Sequence, residues 1–264
     1  MKIATWNVNG IRAREAQLLD FVERERPDVL CLQEIKARLD QVPAMLCEMR
    51  GYWCGWHGEG PYSGVALLVH RDVAPQRPPV VHPPFDMECR VASAEVNGIT
   101  FASVYVPNGG KDFYAKLRFL EEMDRWTAEL GAAGRLLVVC GDLNVARPDM
   151  DVHVKAGRKP GAVGQRPDER AALERVISRG LVDVARALHP HDDQLFTWWA
   201  PWRNMKERNI GWRIDYVLAS QPLAARARTF RSLREFGTSD HAPVVVELDA
   251  PAASGPAGSE EPSS

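Results

Sequence analysis

The hydrophobic pattern divides the chain into short apolar runs and longer amphipathic segments. The runs have the length and composition of strands and fall at residues 2–6, 29–32, 64–69, 91–96, 100–105, 136–140, 216–218 and 244–246. Apolar residues at helical spacing predict helices over residues 12–25, 111–130 and 167–180. Strands interspersed with helices in both halves of the chain predict two packed sheets covered by helices, an α/β fold.

Polar residues recur where the predicted strands begin or end. Asp142 and Asn144 follow the run 136–140, and residues two apart on an extended chain should share a face. The same pattern places polar groups beside four other runs: Asn7 and Asn9, Gln33 and Glu34, Asp215, and Asp240 with His241. An acidic, histidine-bearing cluster gathered from distant segments is typical of a hydrolase pocket for a divalent metal.

Composition indicates an ordinary globular protein. The chain has 264 residues, of which 45% are hydrophobic and 26% charged, and no apolar stretch is long enough to cross a bilayer. The first residues form a predicted strand and lack the apolar core of a signal peptide, so we expect a cytoplasmic protein. We expect one catalytic domain over residues 1–249 and a disordered tail, rich in Pro, Ala, Gly and Ser, over residues 250–264.

The net charge limits the kinds of molecule that the protein is expected to bind. A net charge of −2 argues against a protein that coats nucleic acid indiscriminately. Basic residues are nevertheless concentrated over residues 155–170 and 203–213, either as nucleic-acid contacts or as solvated loops. The five cysteines show no paired spacing for zinc, and we expect reduced, mostly buried thiols.

Six motifs appear in the order used by the exonuclease III family, which the chain resembles over roughly residues 1–248. They are Trp6-Asn7-Val8-Asn9-Gly10-Ile11-Arg12, Leu32-Gln33-Glu34-Ile35-Lys36, Tyr105-Val106-Pro107-Asn108-Gly109, Gly141-Asp142-Leu143-Asn144-Val145-Ala146, Gly211-Trp212-Arg213-Ile214-Asp215-Tyr216 and Ser239-Asp240-His241-Ala242-Pro243. The resemblance implies a four-layer α/β sandwich of two packed mixed β-sheets flanked by helices. It also implies a Mg²⁺ or Mn²⁺ cofactor and hydrolysis of duplex DNA beside abasic sites or at 3′ ends.

The resemblance assigns the metal to Glu34 and Asp240, with Asn7 nearby to orient a ligand or bind weakly, and carboxylate oxygens suit such hard cations. A second metal at Asp142 and Asn144 is the alternative to a single one. His241 paired with Asp215 is expected at the scissile phosphate, and the other six histidines are predicted to lie on the surface or in loops.

The general base has two candidates. Asp142 is one, with Asn144 positioning the water or a phosphate oxygen, and a neutral His241 is the other. Tyr105 matches the family tyrosine that reaches the phosphate, either as a hydrogen-bond donor or, if ionised, as an acid–base group.

Substrate choice is expected from apolar walls and phosphate contacts. By the resemblance, Trp198, Trp212 and Ile214 line a pocket for a flipped-out sugar without a base, whereas Trp199 is predicted to be core. Asn108 and Lys111 match positions that contact backbone phosphates. We expect a monomer that acts on double-stranded DNA.

Three alternatives stay open at this point. The enzyme could be mainly a 3′→5′ exonuclease or 3′-end-processing enzyme with weak activity at abasic sites. Another phosphoesterase on the same fold would share the catalytic residues but not the motif Asn-Ile-Gly-Trp-Arg-Ile-Asp at residues 209–215. A non-catalytic nucleic-acid-binding relative should have lost a catalytic group, and the sequence retains all of them.

Overall fold

The computed structural model describes residues 1–249, so the predicted tail lies outside the described residues. Eleven strands are present: β1 (Lys2–Asn7), β2 (Val29–Gln33), β3 (Tyr52–His57), β4 (Val65–His70), β5 (Val91–Val96), β6 (Ile99–Tyr105), β7 (Leu136–Asp142), β8 (Leu181–Asp183), β9 (Asp215–Ser220), β10 (Ala227–Ser232) and β11 (Val244–Leu248). The helices are α1 (Glu15–Glu25), α2 (Ala44–Cys47), α3 (Phe113–Ala132), α4 (Pro167–Ser178), α5 (Val184–Leu188) and α6 (Gln221–Ala224).

The strands form two mixed sheets, as predicted. The first has the order β10-β11-β1-β2-β4-β3 and the second β5-β6-β7-β9-β8. The pairs β1–β2 and β6–β7 are parallel, and each is joined by a crossover that contains a helix, α1 or α3. The remaining pairs are antiparallel.

The layers follow from the alternation of side chains along each strand. Ile3 on β1 faces the apolar core between the sheets, whereas Ala4 and Trp6 face the helix layer. Leu18 and Phe21 of α1 pack on that outer face of the first sheet. Helices α3 and α4 cover the second sheet through Phe119, Leu120, Met123, Leu173 and Val176. The result is the four-layer sandwich that the resemblance implies.

Local sequence explains most element boundaries, but several predicted helix boundaries differ from the observed ones by a few residues. Helix α3 begins where the Asp112 carboxylate accepts a hydrogen bond from the Ala115 amide at 2.8 Å, but it continues through Gly131 to Ala132. The predicted helix 12–25 begins as a 3₁₀ turn at Ile11–Arg14, and α1 follows it. The helix at Pro167 begins as predicted, with Asp168 and Glu169 in its first turn.

The cysteines are free, and all but Cys47 are buried. Trp199 is buried, as predicted for a core residue. No helix within residues 1–249 is both long enough and apolar enough to cross a membrane.

A buried ionic cluster anchors the segment that joins the Trp212 region to β9. Arg213 is fully buried and contacts Asp151 at 2.6 Å and Asp183 at 2.8 Å. Arg186 also contacts Asp151, at 2.5 Å, and Arg147 also contacts Asp183, at 2.9 Å. Charges are tolerated at this depth only because each is paired and hydrogen-bonded.

Replacing the central cation should therefore destabilise the fold. We expect Arg213→Met to lower the free energy of unfolding by about 3–5 kcal/mol, because two carboxylates lose a buried partner. Urea denaturation followed by circular dichroism measures this. The control Arg38→Met removes an exposed pair with Asp40 and should leave the midpoint unchanged. Equal midpoints for the two variants would contradict this account.

Candidate active site

Strand ends from both sheets meet at one edge of the sandwich. Asn7 ends β1, Tyr105 ends β6 and Asp142 ends β7, where it lies opposite Asp215, the first residue of β9. Glu34 follows β2, which runs parallel to β1 and so ends at the same edge. Antiparallel β11 begins at this edge, which brings the preceding His241 to it. Polar groups far apart in sequence are thereby collected in one place.

Asn7 links two of the acids. Its Nδ2 donates to Glu34 Oε1 and to Asp142 Oδ2, both at 2.9 Å. Its Oδ1 accepts from the backbone N–H of Asn9 at 3.0 Å, so both ends of the amide are engaged within the protein. Asn7 thus holds the carboxylates together, and its predicted role as a weak metal ligand stays a prediction.

Two residues quoted in the motifs without a role complete this acidic region. Lys36 Nζ lies 2.6 Å from Glu34 Oε2 and donates to Asn9 Oδ1 at 2.6 Å. Asn9 Nδ2 in turn donates to Asp240 Oδ1 at 2.8 Å. The sequence signal was their place within two of the six motifs, but their contacts depend on left-handed backbone at all three of Asn9, Glu34 and Lys36.

Burial and hydrogen bonding act against each other at Glu34. Burial alone would raise its pKa, but hydrogen bonds from Asn7 and Lys36 and the nearby charge of His241 outweigh burial and lower the pKa. The same balance lowers the pKa of Asp240, where burial is outweighed by His241 and by hydrogen bonds from Asn9 and Trp198. Both side chains are therefore carboxylates at neutral pH.

His241 is enclosed by carboxylates. Its Nδ1 lies 2.9 Å from Asp215 Oδ2, and its Nε2 lies 3.8 Å from Asp142 Oδ2. Burial alone would lower its pKa, but Asp215 and Asp142 outweigh burial and raise the pKa of His241 to about 10. The imidazole is a cation at neutral pH and carries a proton on both nitrogens.

The environment of Asp142 favours the neutral form of its side chain, whereas that of His241 favours the charged form. Burial raises its pKa to about 7, the charges of Asp215 and Glu34 add to this effect, and His241 opposes it. Gly141 permits its placement, because a Cβ there would lie 1.9 Å from the Val104 carbonyl oxygen of the adjacent strand. A carboxyl group with a pKa near neutrality can exchange protons at physiological pH.

The donor set fits a divalent cation. Candidate ligand atoms of Glu34, Asp142 and His241 lie within 4.8 Å of one another, but protonated His241 has no lone pair to donate, so the donors are the carboxylates. Two carboxylates provide the hard oxygen donors that Mg²⁺ and Mn²⁺ favour. Asp240 is connected to this group through Asn9, and its role as a ligand stays a prediction.

Asn144 lies beside Asp142, but not because both extend from one strand face. Strand β7 ends at Asp142, and Asn144 is in the left-handed region with φ of +53°. Its backbone N–H donates to Asp142 Oδ1 at 2.9 Å, and its side-chain Nδ2 donates to the Val106 carbonyl at 2.9 Å. The predicted proximity is confirmed, and its cause is a turn rather than the strand period.

A cavity of about 290 Å³ opens above this cluster. It is lined by Glu34, Tyr105, Asn108, Asp142, Asn144, Val163, Gly164, Trp198, Trp212, Ile214, Asp240 and His241. Most predicted site residues are therefore brought together, with Val163 and Gly164 added. Lys111 is exposed and is not part of the lining.

The cavity has one apolar side. The rings of Trp198 and Trp212 meet edge to face with their centroids 5.7 Å apart, and Ile214 packs with them. Trp198 Nε1 donates to Asp240 Oδ2 at 3.0 Å, and Trp212 Nε1 donates to the Ala156 carbonyl at 3.1 Å. Both indoles are fixed by their polar edges, so their apolar faces form a defined wall.

Two other features, a histidine pair and a surface groove, do not combine free acidic groups with an apolar wall. His57, which was predicted to lie on the surface, instead ends β3 half-buried, 2.6 Å from Asp86 and stacked 3.6 Å from His82. The direct hydrogen bond and near-parallel rings describe a packed histidine pair. A groove of about 590 Å³ runs past Trp199 and Phe236, but its acids are already paired with arginines: Glu25 with Arg231 and Glu235 with Arg234.

Comparison with known proteins gives consistent matches over the described domain. Residues 4–241 match the model of the Endonuclease/Exonuclease/phosphatase family. The chain is 32% identical over 259 residues to the DNA repair nuclease APEX1 of Danio rerio, covering 94% of this chain and 82% of that protein. It is 30% identical over 254 residues to an exodeoxyribonuclease of Bacillus subtilis, covering 94% of this chain and 100% of that protein.

Among solved structures, the fold is similar to the 3′ phosphatase NExo from Neisseria bound to a product DNA hairpin. The TM-score is 0.86 at 31% sequence identity, and the match covers 95% of this chain and 100% of that one.

The charge of His241 can be tested directly. Because its pKa is about 10, its imidazole should stay protonated through the neutral range, and the ¹⁵N NMR shifts of both ring nitrogens should remain those of the imidazolium form. In Asp215→Asn the chief cation-stabilising charge is lost while burial remains, so the pKa should fall toward or below the ordinary value of about 6.5. Asp86→Asn, which touches His57 instead, is the control and should leave His241 unchanged. Titration of wild-type His241 near its ordinary pKa would refute this description.

Proposed function

Because the chain belongs to the endonuclease/exonuclease/phosphatase family, we propose that it is a DNA-repair phosphodiesterase that cuts duplex DNA 5′ to abasic residues and processes 3′ ends. The exonuclease III-type resemblance predicted from the sequence motifs is confirmed by the family match and the two sequence relatives. One observation carries the proposal. The acidic, His241-bearing cluster forms one side of a cavity whose other side is the apolar wall of Trp198, Trp212 and Ile214.

Asp142 is the favoured general base. Its pKa of about 7 lets it accept a proton from water at physiological pH, whereas His241 is already protonated. Protonated His241 is 3.8 Å from Asp142 and is suited to stabilise negative charge that develops on the phosphate oxygens. Asp215 holds the imidazole through Nδ1 and leaves Nε2 facing the cavity side.

Glu34 would hold a divalent cation, Mg²⁺ or Mn²⁺, with Asp240 as the further predicted ligand, and Asp142 is left free to act as the general base. When bound, the cation supplies positive charge that stabilises the reacting phosphate and the leaving oxygen. The second-metal alternative at Asn144 is less favoured, because its amide is engaged at both ends, donating to Val106 and accepting from Asn108 at 3.2 Å. We assign Asn144 to positioning the water or a phosphate oxygen.

Tyr105 acts as a neutral donor in this scheme. Its hydroxyl donates to Glu34 Oε1 at 2.8 Å, and burial together with the charges of Glu34 and Asp142 raises its pKa well above the ordinary range. An ionised phenolate is therefore disfavoured. Asn108 lines the cavity and Lys111 lies exposed three residues further along the same loop, where both can contact backbone phosphates.

The apolar wall suits a sugar that has lost its base. Such a sugar presents apolar ring atoms and has neither a pair nor a stack to lose on extrusion. Gly164 keeps the space in front of Trp212 open, because a Cβ there would lie 2.6 Å from the indole ring. We propose that the protein binds the damaged duplex as a monomer.

The alternative activity, mainly the processing of 3′ ends, is supported by two of the similar proteins. The similar Neisseria structure is of a 3′ phosphatase, and the Bacillus relative is an exodeoxyribonuclease. The same chemistry serves both substrates, so the balance between them depends on how well the cavity accepts the internal abasic sugar.

The reaction should be assayed on an end-labelled duplex with one tetrahydrofuran abasic site. With Mg²⁺ we expect one nick directly 5′ to that residue, and none with EDTA. Asp142→Asn should lower the single-turnover rate roughly 10²–10⁴-fold, because the general base is lost. Asp72→Asn is the matched control, since Asp72 is exposed and follows β4 at the opposite end of the first sheet.

The outcomes separate the alternatives. A ladder of shortened 3′ ends without the nick would make the protein mainly a 3′-end-processing enzyme. No cleavage of either an abasic or a 3′-recessed duplex would refute the proposed function.

Substitutions at two glycines of one loop test whether the cavity holds the abasic sugar. Gly164→Val should block the space before Trp212 and lower cleavage at the abasic residue about 10-fold or more relative to removal of a 3′-phosphate. Gly157→Val is the matched control, because Gly157 has a similar φ, +87° against +90°, but open space at its Cβ. The same loss in both variants would point to backbone strain and not to occupation of the cavity.

A further inference from the structure

A fully buried ion pair joins the two helices that cover the second sheet. Lys116 lies on α3 and Glu169 on α4, and both side chains have 0% exposure. Their charged atoms are in direct contact. The sequence predicts Glu169 only as an acid in the first turn of its helix, and Lys116 only as a charge on an amphipathic helix.

Lys116 reaches the catalytic side of the cavity. Its Nζ donates to the backbone carbonyl of Asn144 at 2.7 Å and to that of Asn108 at 3.2 Å. The side chains of these two asparagines line the cavity and are hydrogen-bonded to each other. One ammonium group therefore fixes the backbone of two neighbouring site residues.

Glu169 reaches the apolar side. Its Oε1 accepts from the backbone N–H of Gly164 at 2.5 Å and from that of Arg166 at 2.9 Å. Gly164 stands against the Trp212 ring, and its carbonyl accepts from the Ala146 N–H at 2.8 Å. The position of the loop beside the indole thus depends on this carboxylate.

We propose that the Lys116–Glu169 pair positions the cavity's lining segments, with Lys116 setting the Asn108–Asn144 side and Glu169 setting the width of the sugar pocket at Gly164. This inference rests on the function proposed above and adds to it a specificity-determining pair outside the catalytic cluster. Neither residue touches substrate in this scheme, so both are positioning residues.

Packing alone does not account for the pair. Well-packed apolar residues in place of a buried ion pair are often neutral or stabilising, so two helices do not need charges in order to dock. The bond from Glu169 Oε1 to the Arg166 N–H caps its own helix, but the bonds to other segments, from Lys116 to Asn108 and Asn144 and from Glu169 to Gly164, all end on residues that line the cavity. That distribution indicates a role in shaping the site.

Two neutral double variants test the role without leaving a charge unpaired. Lys116→Met with Glu169→Gln keeps an acceptor oxygen for the Gly164 and Arg166 N–H groups, whereas Lys116→Met with Glu169→Leu removes it. Thr127→Val is the control, a buried polar residue on α3 whose hydroxyl bonds only within its helix. Circular dichroism melting checks folding of each variant.

The readouts are single-turnover cleavage at a tetrahydrofuran site, removal of a 3′-phosphate, and the ratio of Kd for tetrahydrofuran and undamaged duplexes in EDTA. We expect the Met/Gln variant to lose rate on both substrates, because Asn144 is released. The Met/Leu variant should lose roughly 10- to 100-fold more at the abasic site alone, and its Kd ratio should fall toward one.

Equal losses on both substrates in the two double variants, or wild-type rates in both, would overturn the proposal. If the Met/Leu variant does not fold, the Met/Gln variant decides: wild-type rates on both substrates would overturn the role of Lys116. A wild-type protein that cleaves neither substrate would refute the proposed function, while the Kd ratio in EDTA would still decide the positioning role.

Discussion

The structure of the site depends on one electrostatic constraint: several carboxylates share a small volume that is largely shielded from water. Glu34, Asp142, Asp215 and Asp240 would repel one another there if nothing compensated their charges. The compensation comes from His241, which is placed between Asp215 and Asp142, and from amide donors such as Asn7. The arrangement that compensates the charges also separates the pKa values of its members. His241 keeps its proton at neutral pH, whereas Asp142 can exchange one.

The two kinds of structural element contribute differently to the site. Strand ends, held by the hydrogen-bonded sheets and by the core between them, carry the acidic groups to which we assign the chemistry. Turns and loops between strands and helices carry Trp198, Trp212 and Gly164, to which we assign recognition of the sugar. A rigid scaffold with variable loops is how one fold supports related reactions on different substrates, and the proposed balance between abasic sites and 3′ ends depends on the loops.

Much of this could be predicted from the sequence, because strand period and polar residues at strand ends are local signals. The strands that carry Asn7, Tyr105 and Asp142 follow from their apolar runs. The turn at Asn144 does not, since its left-handed backbone depends on its contacts with Asp142 and Val106. The contact between Lys116 and Glu169 could not be predicted for another reason. The two residues meet only because α3 packs on α4, and nothing in their local spacing indicates a buried pair.

The pairing of β11 with β1 has a consequence for biosynthesis. β1 holds the start of the chain and β11 is the last described strand, and their register brings residue 244 beside residue 5. A nascent chain that ends before residue 241 therefore has β1 as an open edge and lacks His241, the cation placed between Asp215 and Asp142. Contacts this distant in sequence form late and slowly. Closure of the first sheet by β11 is therefore a late event in folding, and until then the edge of β1 that β11 covers stays unpaired.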